Sequence, residues 1–394
     1  MEGSKKIPGA VIIGDHVQAL GIARSLGRKK IPVYLVNPRA ACIGRFSRYV
    51  KKFLVCPSLK EDSKLASFLA NLAEKEGLQG WILLPNNDAA VYAVSKNREK
   101  LKKYFLVPTP DWEITKLAYN KILTYALAEK NGIPIPKTVY PKDLGELSEA
   151  VSGMSFPIII KPAVMHTFYE KTKLKAILAG NLEELKSAYE KASKVIDPSE
   201  IMVQEVIPGR PGKLYSFCSF FKEGKVKGMI VGRRVRQRPM DFGRGTTFAQ
   251  SEKVPSLVAY GTRLLTAMDY YGLSEVEFKL DERDGVYKLL EINPRTWLWH
   301  SLAGRCGVDM PYMLYNDLVN GNAAAAGDYR AGVKWLHFYT DLSVSAGEIL
   351  KGNMKLTDYL RSLSGEKEYA VMAWDDPLPF IAETLLLPYL KMVR

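Results

Sequence analysis

The sequence predicts an N-terminal α/β domain with a doubly wound parallel sheet, followed by an α+β region built on antiparallel hairpins. Three observations carry this expectation. Residues 9–37 read strand, glycine turn, helix, strand, which is the opening βαβ unit of a parallel sheet. From residue 201 onward, β-rich runs are mostly joined by short Gly-containing turns, the signal of hairpins. The chain has 394 residues, 47% hydrophobic and 25% charged, so it is ordinary globular material long enough for two or three domains.

Taken in order, Ala10-Val-Ile-Ile13 is a buried strand, Gly14 begins a turn, and Gln18 to Gly27 carry apolar residues at helical spacing,. Ile31 to Val36 is the next strand. The turn from Gly14 to Gly21 lacks GxGxxG, so nicotinamide dinucleotide binding is not expected. A helix starting after Gly14 still offers free N–H groups to an anion. The strand Gly80 to Pro85 ends in Asn86-Asn87-Asp88. Open α/β sheets bind ligands at the carboxyl ends of their strands, which makes Asn86, Asn87 and Asp88 candidate substrate contacts. Equally, they can cap the following Ala-Ala-Val-Tyr helix. Residues 111–131 read as one helix stopped by Asn131-Gly132,. Amphipathic helices follow at 143–151 and 181–195, with the strand Phe156 to Lys161 between them. Ile201 to Gly209 is a strand entering a turn, and 214–235 is a hairpin turning at Lys222-Glu-Gly224. Next come a Gly-rich segment at 239–247, a helix near 256–271, a second hairpin, and helical residues 299–320. Asn320 to Gly327 reads as a linker, and 331–394 as a C-terminal extension without a domain signal of its own.

Four Cys are widely spaced without CxxC, and four His form no HxxxH or HExxH. That argues against a zinc site or a disulfide scaffold and fits a reducing cytoplasm. The N-terminal apolar run is too short for a signal peptide, and no stretch approaches a membrane span,. The net charge of +14 comes from dispersed lysines. It fits an enzyme handling anionic substrates better than a nucleic-acid binder, since no aromatic-studded basic motif occurs.

The second hairpin carries the chemistry. Glu277 lies in Val-Glu-Phe-Lys and Glu291 in Leu-Leu-Glu-Ile-Asn-Pro-Arg, joined by the polar turn Asp281-Glu-Arg-Asp-Gly285. Neighbouring strands can bring Glu277, Glu291 and Asn293 together as hard oxygen ligands for Mg²⁺ (or Mn²⁺), with positions left for water and phosphate. Arg295 follows on the same face by the period of two. An ordinary solvated hairpin is the competing interpretation of the two Glu alone.

An apolar strand ending Glu-x-Asn-Pro-Arg resembles the metal strand of the ATP-grasp ligases, the superfamily of biotin carboxylase and carbamoyl-phosphate synthetase. The resemblance covers roughly residues 10–320. It implies an N-terminal Rossmann-like pre-ATP-grasp domain at 1–110 and a two-lobed ATP-grasp domain at 111–325, with a small mobile lobe at about 140–205. The C-terminal extension is then 326–394. It further implies that Lys121 and Lys161 hold ATP phosphates from either side. Gln204, Glu205 and Val206 correspond to the hinge that reads adenine, where backbone groups near Val206 would pair with the purine edge and Glu205 would accept from the amino group. Two departures stand out. The stretch after the hinge, Gly209-Arg-Pro-Gly-Lys213, has no acid for the ribose. The phosphate-covering segment Ala163 to Lys173 has no glycine, so Lys171, Lys173 or Lys175 is left to supply charge. The strand Gly232-Arg-Arg-Val-Arg-Gln-Arg-Pro239 is similar to the basic strand facing γ-phosphate and substrate in biotin-carboxylase-like members. Alternation would set Arg234, Arg236 and Arg238 on one face. With Asp-Asp-Pro-Leu-Pro near the end, this wording resembles a branch of predicted ATP-dependent carboligases.

The implied function is ATP-dependent carboxylate–amine ligation through an acyl phosphate, giving ADP and phosphate. Arg295, Arg234 and Arg236 would serve the transferring group. An alternative within the fold is a carboxylase that phosphorylates bicarbonate. An alternative of another class is a non-catalytic basic module on nucleic acid or membrane. The Leu-rich tail Pro377 to Arg394 offers a homodimer contact, a docking helix or a peripheral membrane contact.

Overall fold

The structure is a computed structural model that describes residues 7–209, 212–240, 243 and 245–393, apart from the side chains of 166–167 and 388–393. Asp241, Phe242 and Arg244 of the Gly-rich segment lie outside the described residues, as do Arg210 and Pro211.

The first sheet contains β1 (Ala10–Ile13), β2 (Val33–Asn37), β3 (Val50–Val55), β4 (Trp81–Pro85) and β5 (Phe105–Leu106), in the order β3-β2-β1-β4-β5. Every pairing in it is parallel. Chain direction across the sheet reverses between β1 and β4, so the crevice above their carboxyl ends is the natural ligand site. Gly14 stands there with φ +118°, and a Cβ on it would lie 1.9 Å from Asn86 Oδ1. Only glycine lets the two strand ends approach this closely.

The second sheet is small and antiparallel: β6 (Thr138–Val139), β7 (Ile158–Pro162), β8 (Ile177–Ala179) and β9 (Ile201–Glu205), in the order β6-β9-β7-β8. The helices Leu144–Ala150 and Leu182–Ser193 cover it. The third sheet holds β10 (Leu214–Lys222), β11 (Lys225–Arg238), β12 (Gly245–Ser251), β13 (Gly272–Asp281), β14 (Val286–Asn293), β15 (Lys334–Leu336) and β16 (Lys367–Tyr369). Its order is β14-β13-β10-β11-β12-β15-β16. The β10–β11 turn is Glu223-Gly224, with φ of +53° and +68°, the doubly left-handed geometry that matches strand twist.

One expectation is corrected, and two segments gain detail. The helix over 111–131 is two helices, Trp112–Tyr119 and Lys121–Lys130. The Asn120 side chain caps the second one, accepting from Ile122 N and Leu123 N,. The glycine-free segment after β7 carries the helix Met165–Thr172. The C-terminal segment is woven into the third sheet: β15 pairs with β12 and β16 with β15. It also returns to the first domain, where Asp376 accepts from Arg24 Nε (3.0 Å) and Ser47 Oγ (2.7 Å).

Candidate active site

The β13–β14 hairpin sets out the centre of the site. Cross-strand register pairs Glu277 with Glu291 and Glu275 with Asn293. Residues directly opposite share a face, so two carboxylates confront each other, which is unfavourable without compensating charge. The compensation arrives from other elements. Lys121 Nζ lies 2.7 Å from Glu291 Oε2, and Arg234 Nη2 lies 2.9 Å from Glu277 Oε1. Burial is the largest influence on the Lys121 ammonium and pulls it down, but the charge and hydrogen bond of Glu291, with the fields of Tyr125 and Glu277, together outweigh it and the net shift is upward. Lys121 charge in turn holds Glu291 well below the usual carboxylate range, and Lys175 adds to that field. Of the lysines expected near the phosphate-covering segment, Lys175 is thus within electrostatic reach of Glu291. Lys171 instead donates to Val195 O (2.9 Å).

Asn293 is held from both sides. Its Nδ2 donates to Glu275 Oε2 (3.1 Å) and Glu277 Oε1 (3.2 Å), and its Oδ1 accepts from Arg295 Nη2 (3.0 Å). Two acceptors on the amide nitrogen fix which way the oxygen faces. The sequence reasoning missed Glu275. It is 3% exposed, accepts from Ser216 Oγ (3.0 Å), and is pushed up to about 8 by burial and then by Glu277. Its signal was available in the alternation Glu275-Val-Glu277, which puts both acids on one face.

Lys161 projects from β7 to Gln204 Oε1 (2.8 Å), and Gln204 Nε2 donates to Thr138 Oγ1 (2.8 Å). Burial, then the charge on Lys121, lowers the Lys161 ammonium to about 8. A lysine held this way gains from an incoming anion. The Glu205 carboxylate accepts from Ser155 N (2.9 Å) and Arg283 Nη1 (3.1 Å), which brace it between the small sheet and the β13–β14 turn. Val206 N donates to Pro157 O (3.2 Å). An acid does come near the end of the hinge, from the hairpin turn: Glu282 pairs with Lys213 (2.9 Å) and crowds Gly209, where a Cβ would lie 2.9 Å from its Oε2.

The arginines separate. Register irregularities on either side of Arg236 break the alternation of β11. Arg234 reaches the hairpin carboxylates, whereas Arg236 turns away to Asp341 on the helix Phe338–Leu350. There its Nε and Nη2 each lie 2.8 Å from an Asp341 oxygen, and both side chains are buried. The structure thus places Arg236 in a buried ion pair with Asp341, apart from the ion pair that Arg234 makes with Glu277. Arg295 donates to Asp88 Oδ1 (2.6 Å), bringing the first sheet onto the hairpin. Asn86 and Asn87 serve the scaffold. Asn86 is 1% exposed and donates to Asp15 O (2.7 Å), while Asn87 caps the helix Asp88–Lys96.

Two carboxylates and an amide oxygen form a hard donor set suited to Mg²⁺ whose remaining positions are filled by phosphate and water. Among the described residues, no group of three His, Cys, Asp or Glu side chains forms a self-sufficient metal cage.

No protein-family model matches the chain. Its sequence is 24% identical over 314 residues to a D-aspartate ligase of Enterococcus faecium, covering 75% of this chain and 72% of that one. Its fold matches the L-amino acid ligase of Bacillus licheniformis with TM-score 0.61 and 15% identity, over 80% of this chain and 75% of the other. It also matches the biotin carboxylase domain of Hydrogenobacter thermophilus 2-oxoglutarate carboxylase, solved with MgADP and bicarbonate. There the TM-score is 0.62 at 16% identity, over 81% and 73% of the two chains. The chain has the ATP-grasp fold. Among the described residues, no helix is long and apolar enough to cross a membrane.

Proposed function

We propose that this protein is an ATP-dependent carboxylate–amine ligase working through an acyl phosphate. The observation that carries the reading is the convergence of Lys121, Glu277, Glu291, Asn293, Arg234 and Arg295 on one hairpin face, with Lys161 nearby. Glu277, Glu291 and Asn293 would hold Mg²⁺, which neutralises phosphate charge during transfer. Lys121, Lys161 and Lys175 offer point charges to the triphosphate. Gln204, Glu205 and Val206 would face the purine, and Glu282, beside Gly209 and Lys213, would offer the ribose an acid. Arg234 stabilises charge on the transferring phosphoryl group. Arg295 binds the substrate carboxylate and later the tetrahedral oxyanion.

The test is ADP release from MgATP by the full chain, with candidate acids and amines added singly and in pairs. Release should require both substrates, and a carboxylate labelled with ¹⁸O should pass one label to phosphate. Unlabelled phosphate, or AMP in place of ADP, would overturn the acyl-phosphate route. The likeness to a biotin carboxylase domain supports a second reading, phosphorylation of bicarbonate. ADP release with bicarbonate alone would favour it.

A further inference from the structure

The last helix, Leu378–Val393, carries an apolar stripe on its outer side. Leu378, Ile381 and Leu385 recur at helical spacing, and all three are exposed,. Trp374, in the turn before the helix, is 95% exposed. The other side of the helix is engaged. Ala382 is buried, the buried Glu383 Oε1 lies 2.7 Å from His337 Nε2, and Phe380 stacks on Tyr339 with centroids 5.4 Å apart. The stripe is what remains after the helix has docked. Single exposed apolar side chains are ordinary, but a contiguous set marks an interaction surface.

The charge around the stripe has one sign. The acids of this segment are all engaged by the protein. Asp376 accepts from Arg24 Nε, Ser47 Oγ and Arg48 N, and Asp375 is clasped by Arg28 Nε (2.8 Å) and Nη2 (2.9 Å). The remaining arginines stay outside. Arg48 Nη1 donates to Asp375 O (3.3 Å), one residue from Trp374. The helix also packs against the short turn Ile43–Phe46, where Phe46 is exposed and the Arg45 guanidinium lies 5.5 Å from the centre of its ring. Arg45 Nη1 donates to Ala40 O (2.8 Å). Among the described residues, the guanidinium groups of Arg45 and Arg48 are thus tied to carbonyls and to no carboxylate.

We propose that Trp374, Leu378, Ile381 and Leu385, with Arg45 and Arg48 at their edge, form a docking surface for an anionic lipid bilayer. A bilayer interface offers apolar depth beneath a negatively charged surface, which complements an apolar stripe bordered by guanidinium groups that no acid neutralises. Trp favours that boundary. A second copy of the chain would bring one basic edge against another. The helix lies in the interface plane and does not span it, in keeping with its length and composition. The metal-site strand β14 and the strand β16, which leads into the tail, stand at opposite edges of the third sheet, so docking leaves the metal hairpin uncovered. The proposal is independent of the ligase reading.

The test is co-sedimentation of the full chain with vesicles of phosphatidylglycerol and phosphatidylcholine in equal parts, and with vesicles of phosphatidylcholine alone. The anionic vesicles should bind about tenfold more tightly or better, and the preference should shrink as salt is raised. Ile381→Ser/Leu385→Ser leaves the net charge of +14 unchanged, so non-specific attraction to the vesicles is the same in both proteins. That variant should bind the anionic vesicles about tenfold more weakly or worse. Its Tm should stay within a few degrees, because both side chains are exposed. Arg45→Gln/Arg48→Gln should weaken the same binding severalfold. Absence of binding, equal binding to the neutral vesicles, or binding untouched by Ile381→Ser/Leu385→Ser overturns the proposal. A dimer in sedimentation velocity that Ile381→Ser/Leu385→Ser turns into a monomer also overturns it, by giving the face to a second copy.

Discussion

Removing the Asp341 carboxylate separates a structural from a catalytic role for Arg236. The pair is bidentate and buried, with side-chain exposures of 4% for Arg236 and 0% for Asp341. Asp341→Ala strands a buried guanidinium and also leaves Thr247 Oγ1 without its acceptor at 2.8 Å. Breaking one side of such a pair costs about 3–5 kcal/mol. For 394 residues the unfolding entropy is about 0.8 kcal/mol per kelvin, so Tm should fall by about 4–6 °C,. The double variant Arg236→Met/Asp341→Leu removes both charges and should recover more than half of that loss, because apolar replacement of a complete buried pair is close to neutral. Differential scanning calorimetry gives Tm, and ADP release gives kcat and KM. The reasoning fails if Arg236→Met cuts kcat about a hundredfold while Tm stays put. That result would return Arg236 to the phosphate.

Glu291→Gln should abolish turnover while keeping the circular dichroism spectrum and Tm within a few degrees; full activity would refute the metal assignment. Lys161, lowered to about 8 in the folded protein, costs stability while it is held charged. The unfolded chain binds the proton more tightly, so that cost is complete below pH 8 and fades as pH rises from about 8 to about 10. Lys161→Met should flatten this part of the stability profile, and MgADP binding to the native protein near pH 8 should take up a proton; buffers of different ionisation enthalpy that give identical heats would contradict it. Arg283→Ala leaves the Glu205 carboxylate with Ser155 N alone and removes a clasp from Asp281. The expected outcome is a several-fold rise in KM for ATP with kcat little changed, measured by initial rates.

Much of the chemistry was readable in the chain because it depends on short-range pattern. The Glu-x-Asn-Pro-Arg ending of β14 and Gly285 in the turn dictate a hairpin whose alternation aims Glu291 and Asn293 to one side. Lys161 was conspicuous because an apolar strand ends on it. The same alternation rule failed on β11: register irregularities around Arg236 are a property of pairing with β12, and no local residue announces them. Asn120 shows the opposite limit. As a cap it divides one helical pattern in two, and it was readable only once the Lys121 N–H was seen donating to Ala163 O (2.9 Å) across the cleft.

The sequence by itself determined the parallel first sheet, the hairpins and the polarity of the hairpin acids, since these follow from periodicity, turn residues and side-chain chemistry. Tertiary structure alone decided which charges meet. Asp88 and Arg295 are 207 positions apart, Lys121 and Glu291 are 170 apart, and Arg236 and Asp341 are 105 apart. Those partnerships arise where helices pack against the third sheet and its edge, and burial then strengthens or suppresses each charge by amounts no linear pattern carries.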